Sequence, residues 1–271
     1  MPHKLTSCAG LRAVVTGASS GIGHRLAERL AAGGARVALV ARRTERLETL
    51  AESIRSKGGD AIVLTCDVAD RERSLACARE IEERLGGVDL LVNNAGYGRH
   101  RRFLDWDLDD MERMMRVNYF GALYWTKALL PGMAARKRGW LVFVSSVGGK
   151  LAVPEETAYA GSKFAMSGFA EALSYEVEDD GVHVMVVCPG TIRTEFFDEE
   201  ALRRMPPVSR RMMADVEPMV DAILDGLARG KYEVTFPRFV EMGYVVRAIA
   251  PGIMRRNTRK QTLEALAREG R

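Results

Sequence analysis

Thr16-Gly-Ala-Ser-Ser-Gly-Ile-Gly23 follows a short apolar run, Arg12-Ala-Val-Val-Thr16, and leads into a helical pattern carried by Leu26, Ala27 and Leu30. A strand that ends in a glycine turn and opens a helix sets a helix N-terminus at the edge of a sheet. Unpaired amides and the helix dipole there favour a phosphate. Gly17 allows the tight turn, Gly21 lets backbone approach a phosphate, and Gly23 lets the helix pack on the strand. Ser19, Ser20 and Ile22 lie between them and join the candidate cofactor-binding residues. The spacing is T-G-x-x-x-G-x-G, not the commoner G-x-G-x-x-G. A plain glycine turn between two core elements is the rival reading, and the flanking strand and helix weigh against it.

Beyond this loop the chain alternates short apolar runs with amphipathic stretches. Strands are expected at 12–16, 36–41, 61–66, 89–92, 140–145, 182–187 and 232–235. Helices are expected at 21–33, 44–57, 70–85, 107–134, 157–179 and 215–229. Strands that alternate with helices in this way argue for a parallel sheet covered on both faces. Glycines at 33–34, 58–59, 86–87 and 181 fall where helices should stop.

The chemistry points to Tyr159-Ala-Gly-Ser-Lys163, with Ser146 thirteen residues before it. Residues four apart share one face of a helix, so an ammonium stands beside a phenol. The positive charge favours phenolate and is expected to lower the tyrosine pKa toward working pH. Such a phenol can give or take a proton, and Ser146 could bond the same oxygen. The set suits interconversion of a carbonyl and an alcohol.

With both motifs in view, the chain resembles the non-extended branch of the short-chain dehydrogenase/reductase family over residues 10–236. The ordered signals are TGASSGIG at 16–23, Asp67-Val68, NNAG at 93–96, Ser146 with Tyr159 and Lys163, and Pro189-Gly190 followed by Thr194. The resemblance implies a doubly wound Rossmann fold of class α/β. Its seven-stranded parallel sheet would run 3-2-1-4-5-6-7, with helices on both faces. It implies that Tyr159 is the general acid/base and that Lys163 tunes it and bonds the nicotinamide ribose. Ser146, chosen over Ser145 by the family's spacing, would polarise the substrate oxygen. Asn118, in Arg-Val-Asn-Tyr, would support a water linking Lys163 to solvent. Asp67 would accept from the adenine amine and Val68 would pack on its ring. Asn94, Ala95 and Gly96 would lie along the cofactor, with a purely structural role a serious rival for Asn94. Pro189, Gly190 and Thr194 would meet the nicotinamide end.

Strand two ends Ala41-Arg42-Arg43. Ala41 stands where an NAD-specific member of the family would carry an acid, and Arg42 could hold a ribose 2′-phosphate by paired bonds. NADP(H) is therefore preferred over NAD(H), with solvated arginines at a helix start as the plainer alternative. Arg99-His-Arg-Arg102 is read mainly as a solvated loop, with an anionic substrate group as its rival. His183, between two valines, reads as structural.

The chain has 271 residues, 47% of them hydrophobic, and a net charge of +4 from 40 basic and 36 acidic residues. Mixed charge of this kind is no nucleic-acid footprint. Cys8, Cys66, Cys77 and Cys188 show neither disulfide nor metal-ligand spacing, so no metal is expected and the cytoplasm suits best. Residues 1–236 are expected to form the cofactor-binding catalytic domain, with 191–214 as a mobile substrate lid rich in Phe, Met and Pro. Residues 237–271 form a C-terminal appendage that Pro251-Gly252 should break within 237–256 into two short pieces. It either walls the site, the preferred role, or lies on a membrane surface. Apolar excess on helices 107–134 and 157–179 points to a homodimer or homotetramer. The leading reading is an NADP(H)-dependent oxidoreductase acting on a hydrophobic carbonyl or alcohol. A nucleotide-sensing regulator and a sugar-nucleotide epimerase are the alternatives.

Overall fold

A computed structural model describes residues 4–197, 199–205 and 207–268. Seven parallel strands form one sheet in the order β3-β2-β1-β4-β5-β6-β7. They are β1 (Arg12–Thr16), β2 (Arg36–Ala41), β3 (Asp60–Thr65), β4 (Leu90–Asn93), β5 (Gly139–Val144), β6 (Val182–Pro189) and β7 (Glu233–Phe236). This is the expected order, and each strand bound lies within one residue of its expected place, apart from the end of β6, which runs two residues further. Strands of this sheet read as near-continuous apolar runs because both faces are covered. Ala13 and Val15 of β1 join one core, while Val14 joins the other.

On the first face pack α1 (Gly21–Ala32), α2 (Thr44–Ser56) and α9 (Val216–Arg229). On the second pack α3 (Arg71–Leu85), α5 (Gly121–Ala135) and α6 (Thr157–Val177). Their stripes repeat at helical spacing: Leu47, Leu50 and Ile54 on α2, Trp125, Leu129 and Met133 on α5. Local chemistry sets the ends. Asp70 caps α3 by accepting from Arg73 N at 3.0 Å, and Gly86 ends it in the left-handed region at φ 71°.

Three differences from the sequence reading matter. The helix expected at 107–134 is α4 (Leu108–Met115) and α5, joined by a π turn over Arg116–Phe120. Residues 191–214 form a loop with two short helices, α7 (Glu199–Arg204) and α8 (Pro207–Arg211). Its base is pinched shut where Ala214 N donates to Thr191 O at 2.9 Å and Arg193 N to Ala214 O at 2.8 Å. Asp198 and Pro206 of that segment lie outside the described residues, as do residues 1–3 and 269–271. The appendage is α10 (Glu241–Ile249) and α11 (Pro251–Arg268). Pro251 does break it, yet α11 is 18 residues long, because a proline is accommodated in the first turn of a helix. Among the described residues no helix is long and apolar enough to cross a membrane.

One ion pair fixes β1 to the start of β4. Asp89 is buried and accepts from Arg12 Nη2 at 2.6 Å, Nε at 2.9 Å and the backbone N at 3.2 Å. Burial alone would raise this carboxyl, but the Arg12 bonds outweigh it and hold it below its ordinary range. Arg12→Met would strand a buried carboxylate and should cost about 3–5 kcal/mol at neutral pH. A depressed folded pKa means that the stabilisation is complete above the unfolded value of about 4 and is lost as pH falls through the folded one. Denaturant titrations should therefore show a gap between native protein and variant that narrows in acid. A gap that ignores pH would assign it to another cause.

Candidate active site

A cavity of about 610 Å3 runs along the carboxyl ends of the strands, from the end of β3 past the glycine loop to the 191–214 segment. It opens where strand order reverses between β1 and β4, the place where open α/β sheets bind ligands. Gly17, Ser19, Ser20, Gly21, Ile22, Arg42, Asp67, Val68, Asn94, Ala95, Gly96, Ser146, Tyr159, Lys163, Pro189, Gly190 and Thr194 all line it. Of the expected site residues only Gly23 and Asn118 stand behind the wall.

The glycine loop is shaped by close approach. Gly17 and Gly21 sit at φ 69° and 60°, where a side chain is strained. A Cβ on Gly23 would stand 2.3 Å from Asn94 Nδ2. That Asn94 amide donates to Thr16 O at 2.9 Å and Gly17 O at 3.2 Å, so the structural role offered for it is present. Thr16 Oγ1 accepts from the backbone N of Asn94 at 3.0 Å and of Ala95 at 3.2 Å. The first turn of α1 has no side-chain cap from Ser20, so its amides face the cavity, as a phosphate requires.

At the end of β2 the two arginines separate. Arg42 lines the cavity near Asp67. Arg43 reaches back over the glycine loop and donates to Ser19 Oγ at 2.9 Å and Ser20 Oγ at 2.7 Å. It also pairs with Glu195 of the 191–214 segment at 3.3 Å, and Arg46 pairs with the same carboxylate. In the sequence Arg43 counted only as a solvated residue at a helix start, although a second arginine beside the first was the available signal. Asp67 Oδ1 accepts from Ala69 N at 3.0 Å and Oδ2 pairs with Arg113 of α4. Burial works against its charge, but these bonds prevail and keep it ionised below the usual carboxylate range.

Deeper in, Lys163 is buried and its Nζ donates to Val144 O at 2.8 Å. Nζ lies 5.9 Å from the centre of the Tyr159 ring. Burial pushes this ammonium down to about 8. The phenol moves opposite to the expectation. Burial raises the Tyr159 pKa, the Ser146 hydrogen bond pulls the other way, and the nearby Glu156 raises it further. The spacing showed that Lys163 would stand beside the ring; it did not show that low dielectric would act on both groups at once.

Ser146 lines the cavity, and its Oγ accepts from Gly148 N at 2.9 Å. Ser145 lines the cavity too, but its hydroxyl is engaged with Lys163 O at 3.1 Å and Ser167 Oγ at 2.8 Å. Asn118 is wholly buried in the π turn. It accepts from Tyr97 N at 3.0 Å and donates to Tyr97 O at 2.9 Å and Ser162 Oγ at 2.9 Å. It thus clamps the loop following NNAG to α6. His183 Nε2 lies 3.1 Å from Lys231 O, a structural contact as expected.

The other half of the cavity is largely apolar. Phe196 meets Tyr159 edge-on at 5.8 Å, and Leu151, Phe197, Met205 and Met254 complete the walls. Glu156 and His100 also reach it; His100 was weighed only within Arg99–Arg102 as a partner for an anionic substrate group, and Glu156 was not singled out. The glycine loop, uncapped amides and paired arginines fit a dinucleotide, and a nicotinamide cofactor supplies or accepts a hydride when bound.

Comparison with known proteins agrees with this layout. A short chain dehydrogenase family model matches residues 12–204. Dehydrogenase/reductase SDR family member 7B of Mus musculus is 35% identical over 251 residues, covering 89% of this chain and 77% of that protein. A short chain dehydrogenase/reductase from Burkholderia phymatum, solved in complex with NAD, shares the fold with a TM-score of 0.84 at 22% identity, covering 91% of this chain and 96% of that one. A metagenomic short-chain oxidoreductase, solved in complex with NADP, gives a TM-score of 0.73 at 29% identity, covering 84% and 96%. The chain belongs to the short-chain dehydrogenase/reductase family and is an oxidoreductase of CH–OH groups that works with NAD(P).

Proposed function

We propose that the protein interconverts a hydrophobic carbonyl compound and its alcohol, using NADP(H) in preference to NAD(H), with Tyr159 as general acid/base. The observation that carries this reading is one cluster, half-buried Tyr159 and Ser146 with buried Lys163, at the end of a dinucleotide-sized cavity whose far end is lined in part by Leu151, Phe196, Phe197, Met205 and Met254. In reduction Tyr159 Oη gives its proton to the carbonyl oxygen as hydride arrives at the carbonyl carbon; oxidation reverses both transfers. Ser146 Oγ holds and polarises the substrate oxygen. Lys163 supplies positive charge beside the phenolate that forms, and bonds the cofactor ribose. Asn118 keeps Tyr97 and α6 in register around them and supports a water that connects Lys163 with solvent. Asp67 and Val68 receive the adenine, while Asn94, Ala95, Gly96, Pro189, Gly190 and Thr194 line the path to the nicotinamide. A sensor without chemistry would not need this mutually aligned set.

Tyr159→Phe removes the proton and keeps the ring. Turnover should fall about a hundredfold to ten-thousandfold, while NADPH affinity, read by fluorescence titration, stays near the native value. Substantial residual turnover would remove Tyr159 from this role.

The cofactor preference rests on Arg42 at the cavity rim, with Ala41 in place of an acid. One solved relative carries NAD and another NADP. Arg42→Ala should weaken NADPH binding roughly tenfold to hundredfold more than NADH binding. Arg43→Ala releases Ser19 and Ser20 as well and should weaken both cofactors. Equal losses in Arg42→Ala would show that Arg42 does not read the 2′-phosphate.

The same proposal extends to the domain plan, with residues 1–236 as the catalytic unit, 191–214 as its lid and 237–271 as a site wall. Met254 and Thr258 of α11 line the cavity, and Gly243 packs against Leu151, which supports the wall. Exposed Phe239, Met242, Val245, Ile249 and Ile253 are what supports membrane-surface contact instead. Exposed Phe120 on the π turn and Tyr175 on α6 support homo-oligomers through those helices. The free thiols of Cys8, Cys66, Cys77 and Cys188 support a reducing cytoplasm. In sedimentation and activity assays, a chain ending at Pro237 should keep the oligomeric state of the full protein, bind vesicles no differently and lose turnover. Monomers at micromolar concentration, or full activity after truncation, would refute the corresponding half.

A further inference from the structure

Glu156 and His100 face each other in the apolar half of the cavity, and the proton transfer above uses neither. The His100 Nδ1 lies 3.4 Å from Glu156 Oε1, with the two side chains 13% and 18% exposed. The other carboxyl oxygen looks onto the reaction floor. A point one Cβ length above Gly148 lies 3.5 Å from Glu156 Oε2, 3.3 Å from Ser146 Oγ and 3.2 Å from Tyr159 Cε1. Glu156 Oε2, Ser146 Oγ and the edge of the Tyr159 ring therefore converge beside Gly148, within reach of one small substrate. Phe197 packs on the imidazole at 6.5 Å with its plane tilted by 29°, so the lid covers the pair.

A carboxyl in a cavity that Phe196, Phe197 and Leu151 also line is costly unless it is paired. Burial holds Glu156 up to about 7, so its carboxyl carries a proton for part of the time near neutrality, with the imidazole beside it. A carboxyl and an imidazole together offer both a donor and an acceptor. An ammonium would find only a part-time negative charge in Glu156. An anion would meet the carboxylate. A hydroxyl meets neither penalty and can bond to both partners. The neighbouring cations are occupied: Arg99 and Arg101 face Asp110 at 2.9 Å and 3.7 Å, and Arg101 lies 5.7 Å from the Trp106 ring centre.

We propose that Glu156 and His100 form a hydroxyl-binding subsite beside Tyr159, so that preferred substrates carry a hydroxyl on the carbon next to the reacting carbonyl. The inference rests on Tyr159 being the proton donor, because that fixes where the carbonyl lies. It gives the substrate end of the cavity a polar point of recognition beside the reacting oxygen. A site built to bond a hydroxyl discriminates against the analogue that lacks it, since its buried polar groups are then left unpaired.

The test is a ratio. Values of kcat/KM with NADPH are measured for acetophenone and α-hydroxyacetophenone, and for a matched pair of aliphatic ketones with and without the α-hydroxyl. The native protein should favour the hydroxyketone by roughly tenfold to hundredfold. Glu156→Leu should bring that ratio near unity. Glu156 makes no side-chain cap to α6, so leucine there removes no helix bond. His100→Phe keeps the stack with Phe197 and should also lower the ratio, while Glu156→Gln should keep part of it. No preference in the native protein, or an unchanged ratio in Glu156→Leu, overturns the subsite. Equal fractional losses on both ketones would assign Glu156 to tuning Tyr159 and overturn it too. Neither of these results touches the role of Tyr159, which plain-ketone turnover and its loss in Tyr159→Phe test separately. Failure to reduce any member of either pair would sink both.

Discussion

The side chains of Thr16 and Asn94 tie together two loops that lead to opposite faces of the sheet. After β1 the chain turns into α1 and the first core; after β4 it leaves toward the second. Thr16 Oγ1 accepts two amides from Asn94 and Ala95 and lies 3.1 Å from Val92 O as donor. Asn94 returns two bonds to the backbone of Thr16 and Gly17. Without this exchange the crevice at the reversal point would have no fixed width. The uncapped end of α1, the NNAG turn and the Tyr97 backbone held by Asn118 all take their positions from it. Glycine at 17 and 23 is a consequence, since any side chain there would enter the space that Asn94 occupies.

Low dielectric is the second common factor. It pushes Lys163 down to about 8, raises the Tyr159 phenol and brings Glu156 to about 7. These shifts set proton-exchanging groups closer to neutrality in two cases and farther in one. They also weigh on the fold. The folded Lys163 pKa lies below its unfolded value, so its penalty is full below about 8 and fades as pH rises toward the unfolded value. Proteins carry such strained groups at sites where chemistry requires them, and the packing of the two cores offsets the cost.

Much of this was legible in the sequence because the motifs are local. A glycine loop, a Tyr and Lys on one helix face, and a βα rhythm each declare themselves within a few residues. What stayed hidden was set by the fold. Arg42 and Arg43 are neighbours in sequence, and only the exit angle of β2 turns the second onto Ser19 and Ser20. His100 and Glu156 come from a loop after β4 and the start of α6, and meet only in three dimensions. The direction of the Tyr159 shift depended on how deep the cleft is. The length of α11 was missed because Pro251 reads as a breaker, although it serves equally as a first helical residue.

The π turn at Arg116–Phe120 has a consequence for how this chain can change. Buried Met114, Asn118, Ala122 and Thr126 stand four residues apart. A regular helix turns in about 3.6 residues, so repeated steps of four would drift around its axis. The wider turn absorbs that drift and joins two helical phases, one aimed at Tyr97 and Ser162, the other at the underside of the sheet. Excising one residue from the turn would regularise the backbone and leave the two phases nearly aligned, whereas excising one from either flanking α-helix would rotate everything beyond it by about 100°. Either Asn118 or Trp125 would then lose its place. The turn is therefore the place where this segment can gain or lose a single residue, while in its flanks the residue count is as strict a constraint as the identity of any side chain.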